Sequence, residues 1–382
     1  MREAQRPVLI VGASDPGAAN VLIPVVQHLL KDQEIEVISF CGEPARSRFI
    51  GSGVAATESS VDAESLLKQL SPKGVLVGTS EDCQSIDRRL TKAARKEQIM
   101  SFCVLDYWSQ YHRRFSAPGE HFVYLPDHVY VMDQAAGDGL FGVGVPKQNI
   151  QITGHPHLEQ FRASAPAVDS KKLDEFKPSL GIEPEEIVIT FASETFGWSH
   201  DANYRFPPLS GDKERTVIIL EHVLQTLKQI APRCAKRIVL VNKLHPKNRF
   251  EEFSWIDAQS LPFRVLPVKD TDLIALLQAS SIVIGMTSML LVESVSLGRP
   301  TLSIVPRAIE EQIGPNGGQS WSLARTPQEL SERLSGWLRD PAAANGDWNR
   351  IALDLEAQHR GSVQRIVSHL YSRLGIGESV AA

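Results

Sequence analysis

Short apolar, β-branched runs with no polar face recur along the chain, each followed by a stretch of helical periodicity. Strands that are apolar on both faces need helices on both sides of the sheet, which is the condition of a parallel α/β sheet. Pro7–Val11 reads as such a strand, followed by a Gly/Asp/Pro loop and an amphipathic helix over Ala18–Leu30. Strands at Ile35–Phe40, Gly74–Val77, Ile99–Leu105, His128–Val131 and Asn149–Thr153 continue the series, with helices such as Cys83–Lys96 between them. The segment Arg162–Glu186 is polar, carries three prolines and reads as a connection between domains. The pattern then restarts, with strands at Ile187–Ala192, Arg237–Leu244, Ile282–Gly285 and Thr301–Val305, and helices at Glu214–Ile230, Asp270–Ala279 and Ser288–Leu297. Thr326-Pro327-Gln328-Glu329 is a capping box with proline at the first helical position. A chain of 382 residues also exceeds what one core usually supports. The expected fold class is α/β: two Rossmann-like parallel-sheet domains in tandem facing a central cleft, over 1–165 and 166–365, with a C-terminal helix or tail at 366–382.

Charge and cysteine usage exclude several function classes. A formal net charge of −5 gives no basic face for nucleic acid. Cys41, Cys83, Cys103 and Cys234 are scattered without CxxC or metal-ligand spacing, so reduced thiols and no metal are expected. No apolar run approaches the roughly 20 residues that span a bilayer. The opening MREAQRPVLIVGASD enters a strand too soon for a secretory signal, so a cytoplasmic protein is expected, with peripheral membrane contact and a homodimer both left open.

Ligands of open parallel sheets bind beyond the carboxyl ends of the strands, so the loops there carry the candidates. Met286-Thr287-Ser288 turns a buried strand directly into a helix, and the free N–H groups of such a turn favour an anion. Thr287 and Ser288, whose hydroxyls can add donors, are the phosphate candidates. Glu293, one helical turn further, is a lone acid among leucines and valines and can accept from the two hydroxyls of a ribose. The plainer alternative is an N-capped helix whose glutamate reaches solvent. Lys243 and His245 follow the strand RIVLVN and can neutralise a diphosphate; a solvated loop turned by Pro246 is the alternative. His155, in Thr153-Gly154-His155-Pro156-His157, is a candidate at the end of the last strand of the first half. Asp106 ends another strand and is followed by Trp108, Arg113 and Arg114: an acid that can deprotonate a hydroxyl, a face that stacks on a sugar, and cations that hold an anion. A helix cap with a surface arginine pair is the alternative. Ser14 and Asp15, Glu81 and Asp82, and Ser193, Glu194 and Thr195 occupy equivalent loops. The first loop lacks GxGxxG and GxxxxGK[ST], which removes dinucleotide and P-loop readings, and no GxSxG or HExxH occurs.

Together the segments GASDPG, VGTSED, LDYW, ITGHP, LHPKN and GMTSMLLVES…LGRP resemble the two-domain glycosyltransferase B fold. More narrowly, they are similar to the superfamily shared by UDP-N-acetylglucosamine 2-epimerases and related glycosyltransferases; KLHP and TSM also resemble capsule and teichoic-acid transferases. The resemblance implies an acceptor-side first domain and a second domain binding a nucleotide sugar, with Thr287–Met289 on phosphate and Glu293 on ribose. The chain departs from the hydrolysing epimerases in three places. Gly12-Ala13-Ser14-Asp15-Pro16 replaces their Gly-Thr-Arg-Pro-Glu, Gly78-Thr79-Ser80 their Gly-Asp-Thr, and Thr190–Phe196 their Thr-x-His-Arg-x-Glu-Asn. The expected function is therefore a metal-independent, cofactor-free glycosyltransferase using a nucleotide sugar, with UDP preferred, in surface polysaccharide, glycolipid or secondary-metabolite synthesis. The alternatives are an epimerase-like enzyme and a non-catalytic nucleotide-binding protein. Asp106 is the expected base on a hydroxyl-bearing acceptor, with Glu81, Asp82 and His155 as further catalytic candidates. Ser14, Asp15, Trp108, Arg113, Arg114, Ser193, Glu194, Glu311 and Gln312 are expected to bind sugar or acceptor.

Overall fold

The computed structural model describes residues 6–58, 62–165, 170–194, 204–209, 214–312, 322–340 and 347–377. The chain divides into two compact units, 1–161 with 356–382, and 162–355.

In unit 1 the strands are β1 (Val8–Ala13), β2 (Glu36–Cys41), β3 (Thr57–Glu58), β4 (Gly74–Val77), β5 (Met100–Val104), β6 (His128–Val131) and β7 (Ile150–Ile152). They form one sheet of order β3-β2-β1-β4-β5-β6-β7, with every pairing parallel. The helix α1 (Pro16–Asp32) crosses from β1 to β2 and buries Val21, Leu22, Val25, Val26 and Leu29. It lies so close to the end of β4 that a Cβ on Gly78 would stand 2.3 Å from that of Ala18; only glycine fits there. α4 (Ile86–Lys96), capped by Ser85 on the Arg88 N–H, buries Ile86 and Leu90 between β4 and β5.

Unit 2 repeats the plan with β8 (Ile187–Ala192), β9 (Ile238–Lys243), β10 (Arg264–Val268), β11 (Ile282–Gly285), β12 (Thr301–Ile304) and β13 (Ser322–Ala324). Their order is β10-β9-β8-β11-β12-β13, again parallel throughout. α9 (Arg215–Ile230) and α12 (Pro327–Arg339) share one core over this sheet, through Ile219, Val223, Leu227, Leu330 and Leu334. Thr326 caps α12 as expected, its Oγ1 accepting from the Glu329 N–H at 3.1 Å, while the Glu329 carboxylate accepts from the Arg325 N–H at 2.8 Å.

Two boundaries differ from the sequence reading. The polar segment after Arg162 is not a bare connection: Ser170–Ser179 is a helix, and Phe176 and Leu180 pack against Val188, Val239, Val241 and Leu276 of unit 2. The residues after 355 belong to unit 1 instead of ending the second domain at 365. The terminal helix Ser362–Leu374 is no loose tail, because Ile366, Val367, Leu370 and Leu374 complete the core that α1 begins. Polar contacts fix its register. Tyr371 Oη donates to Asp32 at 2.7 Å, Arg373 Nε donates to His128 Nε2 at 3.0 Å, and Tyr130 Oη meets His369 Nδ1 at 3.1 Å. Among the described residues no helix is long and apolar enough to cross a membrane.

Candidate functional site

Both sheets change winding direction once, between β1 and β4 in unit 1 and between β8 and β11 in unit 2. At such a switch point the two neighbouring loops leave in opposite directions and open a crevice at the carboxyl edge. The candidate residues gather at these two places, one in each unit.

In unit 1 the loops after β1, β4 and β5 bring Ser14, Asp15, Thr79 and Asp106 to one edge. Asp106 Oδ1 accepts from Thr79 Oγ1 at 2.7 Å and from Arg114 Nη1 at 2.6 Å, and both ionic side chains are almost wholly buried. A Cβ built on Gly17 would stand 1.9 Å from Asp106 Oδ2. The carboxylate therefore lies on the backbone of the first turn of α1, where the helix dipole favours a negative charge. Asp106 and Arg114 are brought together as a pair, so Arg114 holds Asp106 in place instead of waiting for an anion.

Next to this pair lies a group that sequence reasoning missed. Asp87, in the first turn of α4, is 2% exposed and its carboxylate oxygens have no hydrogen-bond partner of good geometry. Burial, with Asp15 and Asp106 nearby, pushes its pKa up to about 7 against the pull of the Ser14 hydroxyl. Ser14 Oγ also accepts from the Ile86 N–H at 3.1 Å, tying the loop after β1 to the start of α4. A cavity of about 10 Å³, roughly one water in size, is lined by Gly78, Thr79, Asp87, Cys103 and Arg114 among others. The signal available in the sequence was an acid on a helix face otherwise marked by Ile86 and Leu90.

Several expectations for unit 1 are corrected. Trp108 offers no open stacking face: it is 4% exposed, its Nε1 donates to Asp133 Oδ2 at 2.6 Å, and its ring stacks on His155 at 5.9 Å. His155 is no acid–base group. Its Nδ1 accepts from the Leu158 N–H, so Nε2 carries the proton and donates to the Asp106 carbonyl at 3.2 Å. Burial, with His157 and His359 nearby, holds its pKa well below the usual histidine range. The Gly154 loop instead docks the terminal helix. Gly154 has φ +87°, the Thr153 carbonyl accepts from Arg365 Nε at 2.8 Å, and Glu159 accepts from the Gly361 and Val363 N–H groups. Glu81 pairs with Arg113 at 3.0 Å in an exposed contact, and Asp82 Oδ1 accepts from the Gln84 N–H within its own turn.

In unit 2 the edge is formed by the ends of β9, β8, β11 and β12, which lie side by side. Lys243 pairs in register with Ala192, and the Ser193 N–H donates to the Lys243 carbonyl at 3.0 Å. Ser193 Oγ donates to Asn242 Oδ1 at 2.7 Å. Lys243 Nζ donates to the Leu244 carbonyl, and the loop folds back as His245 Nδ1 accepts from the Lys247 N–H. Across the switch point, α11 (Met289–Ser296) starts at Ser288, whose Oγ accepts from the Leu290 N–H at 3.2 Å. Glu293 sits in its second turn, 5% exposed. The Thr287 donors are already engaged. Its N–H donates to Glu194 Oε1 at 2.6 Å and its hydroxyl to Glu194 Oε2 at 3.1 Å. Glu194, expected to face sugar or acceptor, thus closes on the phosphate candidate. The Ser288 and Met289 N–H groups, at the head of the helix, have no intrahelical acceptor by position.

Glu311 is likewise committed, with Oε1 to Arg205 at 2.5 Å and Oε2 to Arg325 at 3.0 Å, so it is not an open acceptor for sugar hydroxyls. Beside it Glu310, fully buried, pairs with Arg215 and with Arg307, each at 2.7 Å. The Gln312 side chain and Thr195 lie outside the described residues. Among the described residues no three His, Cys, Asp or Glu side chains gather as a metal site.

Solved structures follow this architecture over almost the entire chain. S. aureus MnaA in complex with UDP shares 14% identity at a TM-score of 0.69, covering 97% of both chains. A putative UDP-N-acetylglucosamine 2-epimerase from Listeria monocytogenes shares 16% identity at a TM-score of 0.66, again over 97% of both. Anabaena HepE in complex with UDP-glucose shares 12% identity at a TM-score of 0.67, covering 96% of this chain and all of the other. The likeness is one of fold. No family model matches the chain, and no curated protein matches it by sequence.

Proposed function

We propose that the protein binds a uridine-diphosphate sugar through unit 2 and acts on it as an epimerase-like enzyme. The observation that carries the reading is the end-to-end likeness to MnaA bound to UDP, joined to a buried glutamate, Glu293, on the helix that leaves the switch point of unit 2. Ser288 and Met289 offer N–H groups for phosphate, Lys243 ends β9 on the far side of β8 with His245 in the loop that follows, and Glu293 takes the ribose hydroxyls. Asp106 is the group we assign to proton transfer in unit 1, held by Thr79 and Arg114.

This order reverses the one the motifs suggest, since proteins of this fold include several UDP-N-acetylglucosamine 2-epimerases. Transfer to an acceptor hydroxyl is the second reading. It draws on Thr79 and Ser193, which stand where the hydrolysing epimerases carry other residues. Incubation with UDP-N-acetylglucosamine and no acceptor separates the two. Release of UDP with a 2-epimerised sugar is the expected outcome; no turnover until an acceptor is added refutes epimerisation and establishes transfer.

A further inference from the structure

The phosphate candidate of unit 2 already holds a carboxyl group that belongs to the chain. The Thr287 N–H and hydroxyl stand beside the Ser288 and Met289 N–H groups offered to phosphate, and the two oxygens of Glu194 occupy both Thr287 donors. The contact spans the switch point, from the end of β8 to the turn after β11. Glu194 is also fixed from its own backbone, whose N–H donates to Thr216 Oγ1 at 3.1 Å, and it is 3% exposed. Among the described residues, two charged groups act on it. Arg215, from the head of α9, draws it toward the ionised form, and Glu310, from the turn 308–312, opposes that. The charge of Arg215 is shared, because Arg215 also pairs with Glu310 at 2.7 Å. Burial outweighs Arg215 and the Thr287 bonds, so the Glu194 pKa lies above the usual carboxylate range.

A second anion on the same donors would meet the Glu194 charge at hydrogen-bond range in a water-poor site, where like charges do not both persist. We propose that Glu194 determines the charge specificity of this site: its carboxylate stands in for phosphate in the free protein and takes up a proton when a nucleotide's phosphate binds at Thr287. The inference rests on the nucleotide-sugar reading above. It follows that the site penalises ligands by their negative charge. Free UDP, with an unesterified terminal phosphate, is penalised more than a UDP-sugar, whose pyrophosphate is esterified at both ends. A spent nucleotide is thereby released more readily than a fresh donor.

The test uses the full-length protein and two probes, UDP and UDP-N-acetylglucosamine, titrated calorimetrically at pH 6 and pH 8. Glu194→Gln keeps an acceptor for the Thr287 N–H and removes the charge. The expected result is UDP bound about tenfold more tightly by Glu194→Gln than by wild type at pH 8, the free-energy equivalent of one pKa unit. The gain is smaller at pH 6 and smaller for the UDP-sugar. Wild type alone supplies a second measurement that does not depend on the variant folding. Binding of UDP-N-acetylglucosamine at pH 6, compared in buffers of different ionisation heat, should take up protons. Equal or weaker UDP binding by a folded Glu194→Gln protein overturns the proposal, as does binding to wild type without proton uptake. Failure of wild type to bind either probe at either pH removes the nucleotide-sugar reading itself, together with this one.

Discussion

Replacing Asp87 by asparagine tests the buried acid of unit 1 through folding stability alone, independently of any substrate. The side chain is 2% exposed, so solvent does little to screen it, and burial raises its pKa from 3.8 to about 7. A raised folded-state pKa favours the neutral form. The stability lent by that form is complete below pH 3.8 and is lost as pH rises through about 7, beyond which the loss is constant. At about 1.4 kcal/mol per pKa unit, the rise of about 3 units amounts to roughly 4 kcal/mol over the whole interval. Between pH 5 and pH 8 the share lost is about 3 kcal/mol. An asparagine side chain cannot ionise, so urea unfolding of wild type and Asp87→Asn should diverge by that amount across those pH values, with the variant gaining relative to wild type as pH rises. A difference between the two proteins that stays constant with pH would refute the assignment of a charge-burial cost to this group.

Two further substitutions probe the geometry of unit 1. Gly17→Ala places a methyl 1.9 Å from Asp106 Oδ2 and must push the carboxylate aside. Displacing it breaks its bonds to Thr79 and Arg114, so turnover of a UDP-sugar should fall about 100-fold, and unchanged turnover would clear Asp106 of a role. Leu370→Ala removes a fully buried side chain of the terminal helix and should cost roughly 2–5 kcal/mol of stability by denaturant titration.

The architecture was readable because central strands are apolar on both faces. Gly74–Val77, Ile187–Ala192 and Ile282–Gly285 emerge with the ends read from the sequence. Strands that lack this signature were missed. β10 is half-exposed along most of its length and contains Pro267, and β13 has three residues. The helix Ser170–Ser179 has the sequence of a connection, because Phe176 and, just past its end, Leu180, the residues that pack, sit among lysines and prolines. The candidate loops were legible as loops, since strand ends place them. What each side chain does within them was not, because that is set by partners far along the chain. Asp133 turns Trp108 inward across 25 residues, and Thr287 engages Glu194 across 93.

The return of residues 356–382 to unit 1 makes unit 2 an insertion within it. A ribosome therefore releases every strand of the first sheet long before the helix that seals it. Until Ile366, Val367, Leu370 and Leu374 emerge, the outer side of α1 is an open greasy groove that nascent-chain chaperones can occupy, while the later-made unit 2 already has all its strands. Vectorial synthesis thus favours completing the second unit first, inverting the usual order in which domains mature.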